Sequence, residues 1–312
     1  MGSLKIAVGI DFSKESETAG TEALRLARHL GGELILVHVS APVDVPGLKA
    51  AATAAGERAL EALRQYLAQT ATRDRLRLTG LRERMNGDVH VIHAFLMGDP
   101  DSGLCTAARE TGSQLLVVGT HGYTGLNWFL LGSVAQRVIR MADVDVLVAR
   151  NRRASSDGYR RVLVATDFTP SSARALDRAL QLAAPGAQID VVHFYQHAPD
   201  GELYQAMRET AGIDLGESLM AELTQAGQSF IAERQRPDGM TVRFYAVAEA
   251  PVPGIVHWLE RQPFDLVAVG SHGRRGFRRF LLGSVAEAVA RRAPCSTLIA
   301  RGRDQEMTRG GS

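Results

Sequence analysis

A long segment occurs twice in this chain, and any fold proposed for it must accommodate both copies. The segment GTHGYTGLNWFLLGS begins at Gly119, and GSHGRRGFRRFLLGS begins 151 residues later at Gly270. The alignment of Gly119–Arg150 with Gly270–Arg301 needs no gap, and 17 of its 32 positions are identical. A repeat of about 150 residues has the length of a whole domain and far exceeds the unit of a solenoid. The 312-residue sequence therefore predicts two domains of one fold.

The domain boundaries follow from the earlier parts of the repeat. LKIAVGIDFS at Leu4 matches RRVLVATDFT at Arg160, and GELILVHVS at Gly32 matches AQIDVVHFY at Ala187. The join, NRRASSDGYR, is rich in Ser, Gly and Arg and is typical of a linker. We expect a first domain at residues 1–150, a linker at 151–159, a second domain at 160–304 and a flexible tail at 305–312.

Short apolar runs alternate with amphipathic stretches in each half. In the first half, strands are expected at Lys5–Ile10, Leu34–Val39, Val89–Leu96, Leu115–Gly119 and Val144–Ala149, and helices at Glu17–Leu30, Ala50–Ala71, Ser102–Thr111 and Ser133–Met141. In the second half, helices are expected near Ser171–Leu182, Glu217–Arg236, Gly254–Arg261 and Ser284–Arg292. The runs LLVV and LVAV are apolar on both faces, as in strands that helices cover on both sides. The pattern predicts an α/β fold of the Rossmann-like class, with two tandem open parallel five-stranded sheets and helices on both faces.

The composition is that of a globular protein and excludes several classes of partner. Hydrophobic residues make up 45% and charged residues 22% of the chain, and the formal net charge of +2 gives no electrostatic case for nucleic acid or a membrane surface. The sequence contains no apolar run long enough to span a bilayer and no signal-peptide pattern. Cys105 and Cys295 belong to no CxxC or Cys/His pattern. We therefore expect a cytoplasmic protein without a disulfide framework or a structural zinc site.

The repeated loop lies where an open parallel sheet binds ligands, beyond the carboxyl ends of its strands. Each copy has Gly-x2-Gly after a strand and, after nine further residues, Gly-Ser at the start of a helix. Glycine lets a ligand approach the backbone, and the first amides of a helix attract phosphate. The spacing therefore predicts a phosphate site in each half. Its residues are Gly119, Gly122, Gly132 and Ser133 in the first half and Gly270, Gly273, Gly283 and Ser284 in the second.

An acidic residue follows the first strand of each half, at Asp11 and Asp167. A carboxylate in this position can accept hydrogen bonds from ribose hydroxyls or from an adenine amino group. The alternative is that each Asp caps the following helix, and both roles are compatible. For the loop, the alternative is a tight strand-to-helix connection in which the serine is only an N-cap. The recurrence of one glycine spacing beside a matching acid favours the ligand.

Other chemistries lack their motifs. The sequence has no Gly-x-Ser-x-Gly elbow of a serine hydrolase and no Gly-x4-Gly-Lys-Ser/Thr loop of a P-loop NTPase. The nine histidines form no HExxH or Cys/His cluster, so no metal ligand is assigned; His121 and His272 are expected to position the loop or to touch phosphate. Fast phosphoryl transfer needs positioned magnesium ligands and cations that this sequence does not identify. We therefore assign no catalytic residue and expect slow hydrolysis at most.

Together these residues resemble the universal stress protein family. The resemblance rests on Gly-x2-Gly-x9-Gly-Ser, on IDFS and TDFT after strand one and on HV at the end of strand two, and it covers nearly the whole chain. It implies a tandem member with the fold also described as adenine nucleotide alpha hydrolase-like, and ATP or a related adenine nucleotide (ADP or AMP) in each half. Whether magnesium accompanies the phosphates stays open.

The resemblance also assigns residues to the nucleotide. The backbone at the end of strand two would read the adenine edge, and the glycine loop and the helix start would hold the phosphates. In the first half the positions are Gly9, Asp11, Val39, Gly119, Thr120, His121, Gly122, Gly132, Ser133 and Val134. In the second half they are Ala165, Asp167, Phe194, Gly270, Ser271, His272, Gly273, Gly283, Ser284 and Val285.

The two predicted sites differ in sequence. Ala165 replaces Gly9 and Phe194 replaces Val39, so side-chain bulk is expected to narrow the second adenosine pocket, and Glu249 stands at the position of Gly98. The second loop carries arginines that either contact phosphate or form a solvated basic surface. The first loop carries apolar residues that either cover a ligand or pack on the other half, and we expect the packing. These residues are Arg274, Arg275, Arg278 and Arg279 in the second loop and Tyr123, Leu126 and Trp128 in the first.

Three functions fit these features to different degrees. The first is a nucleotide-binding stress-response or signalling module whose occupancy changes its shape or its partner. The second is an adenylating enzyme of related fold, which would need a Ser/Gly-rich pyrophosphate loop directly after strand one, where this chain has DFSKES and DFTPSS. The third is an interaction scaffold that no longer binds nucleotide.

The last strand of each half, Val144–Ala149 and Thr297–Ala300, is apolar. Apolar edge strands need cover, and in the resembling family these strands pair across a dimer. We therefore expect them to pair within this chain as a pseudo-dimer of its halves, and we expect two chains to associate further as a homodimer. The alternative, two independent domains on a flexible tether, fits the short linker less well.

Overall fold

Strands and helices alternate along the chain in the order that the sequence predicts. The computed structural model describes residues 4–40, 46–120, 131–150, 157–196, 215–235, 237, 239–272 and 282–301. The first half contains β1 (Lys5–Gly9), α1 (Lys14–His29), β2 (Glu33–Ser40), α2 (Pro46–Met85), β3 (His90–Met97), α3 (Pro100–Glu110), β4 (Leu115–Gly119), α4 (Ser133–Met141) and β5 (Asp145–Ala149). The second half contains β6 (Tyr159–Ala165), α5 (Pro170–Leu182), β7 (Ala183–Tyr195), α6 (Leu215–Ala232), β8 (Thr241–Ala248), α7 (Pro251–Arg261), β9 (Leu266–Gly270), α8 (Ser284–Arg292) and β10 (Ser296–Ala300).

The ten strands form one sheet in the order β3-β2-β1-β4-β5-β10-β9-β6-β7-β8. Neighbouring strands within each half are parallel. The halves meet where β5 and β10 pair antiparallel, with Leu147 opposite Leu298. The expected pairing of the two last strands is therefore present. Because this pairing joins the two parallel halves, the layout is one ten-stranded sheet, whereas the sequence predicts two tandem five-stranded sheets.

Helices cover both faces of the sheet because successive strand residues point to opposite sides. Ile6 and Val8 belong to one core, against α1, α2, α5 and α6, and Ala7 belongs to the other, against α3, α4, α7 and α8. Each core includes buried residues of both halves. In the described part of the chain, no helix has both the length and the apolar character needed to cross a bilayer.

Helix α2 is longer than its predicted span, Ala50–Ala71. The segment QTATRD at residues 69–74 favours an end there, because Thr and Asp are poor residues for a helix interior. The helix continues because its last turns reach the core: Leu78 is fully buried, and Leu81 and Met85 pack beside it. Their spacing of three and four residues places them on one helix face.

Candidate functional site: the carboxyl edge of the sheet

A cavity of about 590 Å³ lies beyond the carboxyl ends of β6, β7 and β9, against the first turns of α7 and α8. Ligand pockets for small molecules typically enclose about 300–1,000 Å³. Most of the residues predicted for the second half border this cavity. They are Ala165, Asp167, Phe194, Gly270, His272, Gly283, Ser284 and Val285.

Ser271, which was also predicted, is part of the frame of the cavity rather than its lining. It is fully buried, its N–H donates to the Ala300 carbonyl at 2.9 Å, and its carbonyl accepts the Gly283 N–H at 2.8 Å. The hydroxyl lies 2.9 Å from Nδ1 of His272. Ser271 therefore closes the base of the second loop. In the first half, the Thr120 carbonyl does the same by accepting the Gly132 N–H at 2.6 Å.

The starts of α4 and α8 expose backbone amides at this edge. Gly132 and Gly283 are the N-caps, with extended φ/ψ of −61°/154° and −64°/145°. Ser133 and Ser284 are the first helical residues and are exposed, so the alternative in which the serine is the N-cap is wrong. The amides of the first helical turn have no acceptor within the helix. Val134 and Val285, the next residues, belong to the same turn.

Gly119 and Gly270 are explained by packing rather than by ligand approach. A Cβ on Gly270 would lie 2.6 Å from Ser171 Oγ and 2.8 Å from the Ser172 nitrogen. A Cβ on Gly119 would lie 3.0 Å from the carbonyl carbon and oxygen of Glu15. The missing side chain therefore lets the first turn of α1 or α5 lie directly against the strand end.

The turns that carry Asp11 and Asp167 have the same geometry. Oδ1 of Asp11 accepts the Ser13 N–H at 2.9 Å and the Ser13 hydroxyl at 2.5 Å. Oδ1 of Asp167 accepts the Thr169 N–H at 3.2 Å and the Thr169 hydroxyl at 2.6 Å. The N-caps of α1 and α5 are Ser13 and Thr169, so the Asp residues support the cap and are not caps themselves.

Left-handed backbone follows each of these acids. Phe12 has φ of 63° and Phe168 has φ of 62°, which is strained for an aromatic residue. Since the same conformation recurs at matching positions, it is a regular feature of this turn in both halves.

His38 and His193 hold these turns, a role that the sequence did not reveal. Nδ1 of His38 lies 2.7 Å from the Ile10 carbonyl, and Nδ1 of His193 lies 2.8 Å from the Thr166 carbonyl, so Nδ1 donates in both. The His38 ring packs 4.9 Å from Phe12, and the His193 ring packs 4.7 Å from Phe168. The available signal was a histidine at the same place in both copies of strand two.

The bulk of Phe194 does not fill the second site. Its ring is 7% exposed, packs edge-on against Trp258 at 6.4 Å and occupies the space that Gly254 leaves without a Cβ. In the first half, Val39 packs against Gly103 at the matching position. Although Phe194 was expected to narrow the second adenosine pocket, a cavity of about 590 Å³ is present beside it.

The other two substituted positions, Glu249 and Ala165, also differ in their surroundings between the halves. Nδ1 of His257 lies 2.6 Å from Oε1 of Glu249, so Glu249 is held against α7. Gly9, the counterpart of Ala165, is tightly covered: a Cβ there would lie 3.0 Å from Leu104 Cδ1.

Several predicted residues lie outside the described part of the chain. They are His121, Gly122, Tyr123, Leu126 and Trp128 in the first loop and Gly273, Arg274, Arg275, Arg278 and Arg279 in the second. Among the residues that the structure describes, no group of three or more His, Cys, Asp or Glu side chains is arranged to hold a metal ion.

Family comparison agrees with the repeat. The model of the universal stress protein family matches residues 3–150 and again residues 158–301. The chain belongs to the universal stress protein family. A universal stress protein of Mycolicibacterium smegmatis is 30% identical over 312 residues, which cover 96% of this chain and 97% of the relative. Universal stress proteins with two such domains in one chain therefore occur elsewhere.

Solved universal stress proteins share the fold. The crystal structure of a universal stress protein from Archaeoglobus fulgidus superposes with a TM-score of 0.67 at 20% identity, covering 97% of this chain and all of that one. A universal stress protein crystallised in complex with cAMP is 31% identical, covers 47% of this chain and 99% of its own, and has a TM-score of 0.31.

Proposed function

We propose that this universal stress protein is a stress-response or signalling module that binds ATP or a related adenine nucleotide in each half, and that nucleotide occupancy alters its shape or its choice of protein partner. The observation that carries the proposal is the cavity of about 590 Å³, which brings Asp167, Gly270 and the start of α8 into one wall. Its size suits a nucleotide. The proposal needs no catalytic residue, since binding alone is its output.

The start of α8 supports a phosphate subsite. The amides of Ser284 and Val285 lack intrahelical acceptors and lie at the positive end of the helix dipole. The Ser284 hydroxyl is an additional donor on an exposed side chain. An anion at a helix N-terminus is stabilised by about 0.3–1 kcal/mol from the dipole alone, and hydrogen bonds to charged groups add about 1.5–3 kcal/mol each. In the proposal, α4 offers the same donors at Ser133 and Val134.

The strand ends support an adenosine subsite. In the proposal, the carboxylate of Asp167, whose Oδ1 accepts from Thr169, also accepts from ribose hydroxyls at the cavity wall. Phe194 and Ile255 provide apolar wall for the base. In the first half, the proposal assigns the matching roles to Asp11 and Val39. Magnesium would accompany the phosphates from solvent, because the described residues supply no dedicated cluster for it.

The proposal is tested by removing one amide from each helix start. Proline is well tolerated as the first helical residue, and α3, α5 and α7 of this chain already begin with Pro100, Pro170 and Pro251. The extended backbone of the preceding Gly132 or Gly283 suits a following proline. Ser133→Pro and Ser284→Pro should therefore keep the fold and lose a phosphate donor.

Isothermal titration calorimetry with ATP, ADP and AMP should give two equivalents for the unmodified protein. Each proline variant should weaken one of them by about 10–100-fold, since a charge-assisted hydrogen bond contributes about 1.5–3 kcal/mol. Ser133→Ala and Ser284→Ala are the matched controls, because they remove the hydroxyl and keep the amide. Unchanged affinity and stoichiometry in both proline variants, with unchanged thermal stability, would exclude phosphate binding at the helix starts.

Two further expectations belong to this proposal. We place the protein in the cytoplasm because its two cysteines show no disulfide pattern. We also propose that two chains associate as a homodimer, which sedimentation velocity at several concentrations would test; a single species of 33.7 kDa throughout would contradict it.

A further inference from the structure

A second, polar pocket lies toward the amino-terminal ends of β6 and β8, in the same half of the chain as the cavity of about 590 Å³, which is called the nucleotide cavity below. It has a volume of about 120 Å³ and is lined by Arg161, Asp190, Arg243, Tyr245 and Gln262, among others. Arg161 lies in the amino-terminal part of β6, whereas the nucleotide cavity begins at Ala165, the last residue of that strand. The two sites therefore lie toward opposite ends of the strands.

The first half has a cation, Lys5, at the position of Arg161, but it lacks the rest of this chemistry. Asp190 and Arg243 are neighbours on β7 and β8, and the residues in the same register on β2 and β3 are Ile35 and Ile92. Trp258 on α7 corresponds in the same way to Ala107 on α3. Since the fold has apolar residues at both of these strand positions in the first half, it does not require the carboxylate of Asp190 or the guanidinium of Arg243 in the second. Asp190 is half-buried and Arg243 is exposed, so both can reach a ligand that enters from solvent.

The polar groups of the pocket are incompletely paired with one another. Nε of Arg161 is buried and has no hydrogen-bond partner among the described residues, although Nη2 donates to Oε1 of Gln262. The guanidinium of Arg243 forms no ion pair or hydrogen bond within the described chain. Two cationic donors thus face a small pocket.

Asp190 adds an acceptor. Its Oδ2 accepts from Nε1 of Trp258 and from Nε2 of Gln262, each at 3.3 Å. Its Oδ1 has no hydrogen-bond partner in the described part of the structure. The pocket therefore combines an excess of positive charge with one oriented carboxylate.

We propose that this pocket binds a small oxyanion that also carries a hydroxyl group, of which hydrogen phosphate is the simplest. The oxygens would accept from Arg161 Nε and from the Arg243 guanidinium, and the P–OH would donate to Oδ1 of Asp190. A volume of about 120 Å³ has room for an ion of this size. Net charge favours an anion, and the carboxylate selects anions that can donate. The site does not depend on nucleotide binding.

Trp258 makes the test direct, because its indole N–H bonds to Asp190. In the full chain with Trp128→Phe, Trp258 is the remaining tryptophan. Sodium phosphate at constant ionic strength and pH 7, with saturating AMP present, should change its fluorescence saturably. Sulfate should bind at least about tenfold more weakly, because it has no O–H and would leave the Asp190 acceptor unpaired beside an anion.

Matched variants separate this site from general charge effects. Arg243→Ile copies the first half and should weaken phosphate binding at least about tenfold. Arg292→Ile removes the same charge from an exposed position on α8 and should leave binding unchanged. Asp190→Asn should reduce the preference for phosphate over sulfate, because the amide can donate to sulfate.

The possible results divide cleanly. Saturable phosphate binding that Arg243→Ile weakens and Arg292→Ile preserves supports the site. No saturable fluorescence change and no calorimetric heat at millimolar phosphate overturn it. Equal binding of sulfate, or equal weakening by Arg243→Ile and Arg292→Ile, also overturns it, since either result indicates unspecific charge attraction.

Discussion

Phe12 and Phe168 adopt a left-handed backbone that costs about 1–3 kcal/mol for residues of this kind. Each turn keeps this conformation because its neighbours fix it from both sides. The preceding Asp accepts two hydrogen bonds from the N-cap residue, and a histidine on the next strand donates to the preceding carbonyl while packing on the Phe ring. The direction of each Asp at the strand end is thus set by contacts with a segment more than 20 residues away.

Gly270 should tolerate alanine poorly. The added Cβ would meet Ser171 and the backbone of Ser172 at 2.6–2.8 Å, so α5 would have to move away from β9. We expect Gly270→Ala to lower the free energy of unfolding by about 1–3 kcal/mol, measured by urea denaturation. Gly80→Ala is the control: inside α2, the nearest atom to its Cβ would be the flexible Arg84 Nη1 at 3.6 Å, and alanine should stabilise the helix by about 0.5–1 kcal/mol. Equal effects at both positions would contradict the packing role of Gly270.

The two cysteines give a prediction about pH. Neither is in a disulfide, and burial raises the pKa of Cys295 to about 12 and that of Cys105 to about 11. An unfolded cysteine has a pKa of about 8.5, so the buried neutral thiol stabilises the fold fully below that pH, and this contribution is lost as pH rises toward the folded pKa.

Cys295→Val tests this linkage, because valine stands at the matching position 144 of the first half. From pH 7 to pH 10, the stability of the unmodified protein should fall relative to that of the variant by about 2 kcal/mol, at about 1.4 kcal/mol per pH unit above pH 8.5. Urea denaturation at several pH values measures the difference. Parallel stability curves, or rapid alkylation of native Cys295 at pH 8, would contradict the raised pKa.

At the scale of elements, the sequence predicts best where the structure is decided locally. The spans of α4 and α8, Ser133–Met141 and Ser284–Arg292, are confirmed to the residue. The Gly-Ser pair fixes where each helix begins, and the β-strand that follows within a few residues fixes where it ends. The end of α2 was missed by 14 residues, since Leu78 and Met85 are helical through contacts with a distant core. Local polarity at residues 69–74 points the other way.

The same distinction applies to the candidate site. Motif spacing predicted that Asp167, Gly270 and the start of α8 meet at one sheet edge, because parallel strands end on the same side. The packing role of Gly270 and the anchoring by His193 depend on contacts with Ser171 and the Thr166 carbonyl. The repeat shows that a glycine and a histidine recur at these positions, but it does not identify the residues that they contact.

Two leucines on α2 test whether its last turns are held by the core. Leu78 is fully buried, whereas Leu76 is 70% exposed two residues earlier on the same helix. Leu78→Ala should destabilise the protein by about 2–5 kcal/mol through lost burial and the cavity it leaves. Leu76→Ala should change stability by less than about 0.5 kcal/mol. Thermal and urea unfolding of both variants measure this. Similar small effects would mean that the helix end is held by something other than Leu78.

For the whole molecule, the join between the halves combines repeated positions with different chemistry. Asp145 and Ser296 are equivalent, and each accepts a backbone N–H from the other half, from Arg301 and from Arg150, at 2.9 Å in both cases. Asp145 also binds guanidinium groups of α5, at 2.9 Å to Arg174 Nε and 2.8 Å to Arg178 Nε. The repeat therefore predicts that the last strands are alike. Because the ion cluster needs Asp145 from the first half and the arginines of α5 from the second, it favours pairing of the two different halves over pairing of two identical halves.

Asp145→Asn should weaken the whole chain rather than one domain. Asp145 is fully buried and the Arg178 side chain is only 8% exposed, so the variant leaves buried guanidinium charge without its carboxylate. Breaking a buried pair from one side costs about 3–5 kcal/mol.

Glu287→Gln is the matched control. The ion pair of Glu287 with Arg140 also joins the two halves, at 2.6 Å, but Arg140 is 53% exposed. An exposed pair contributes about 0–1 kcal/mol, so the control should stay within that range in urea denaturation. Because both cores continue across the join, Asp145→Asn should shift a single cooperative transition. If it instead produced two transitions, or lost no more stability than Glu287→Gln, the halves would be independent domains and the buried cluster would not hold them together.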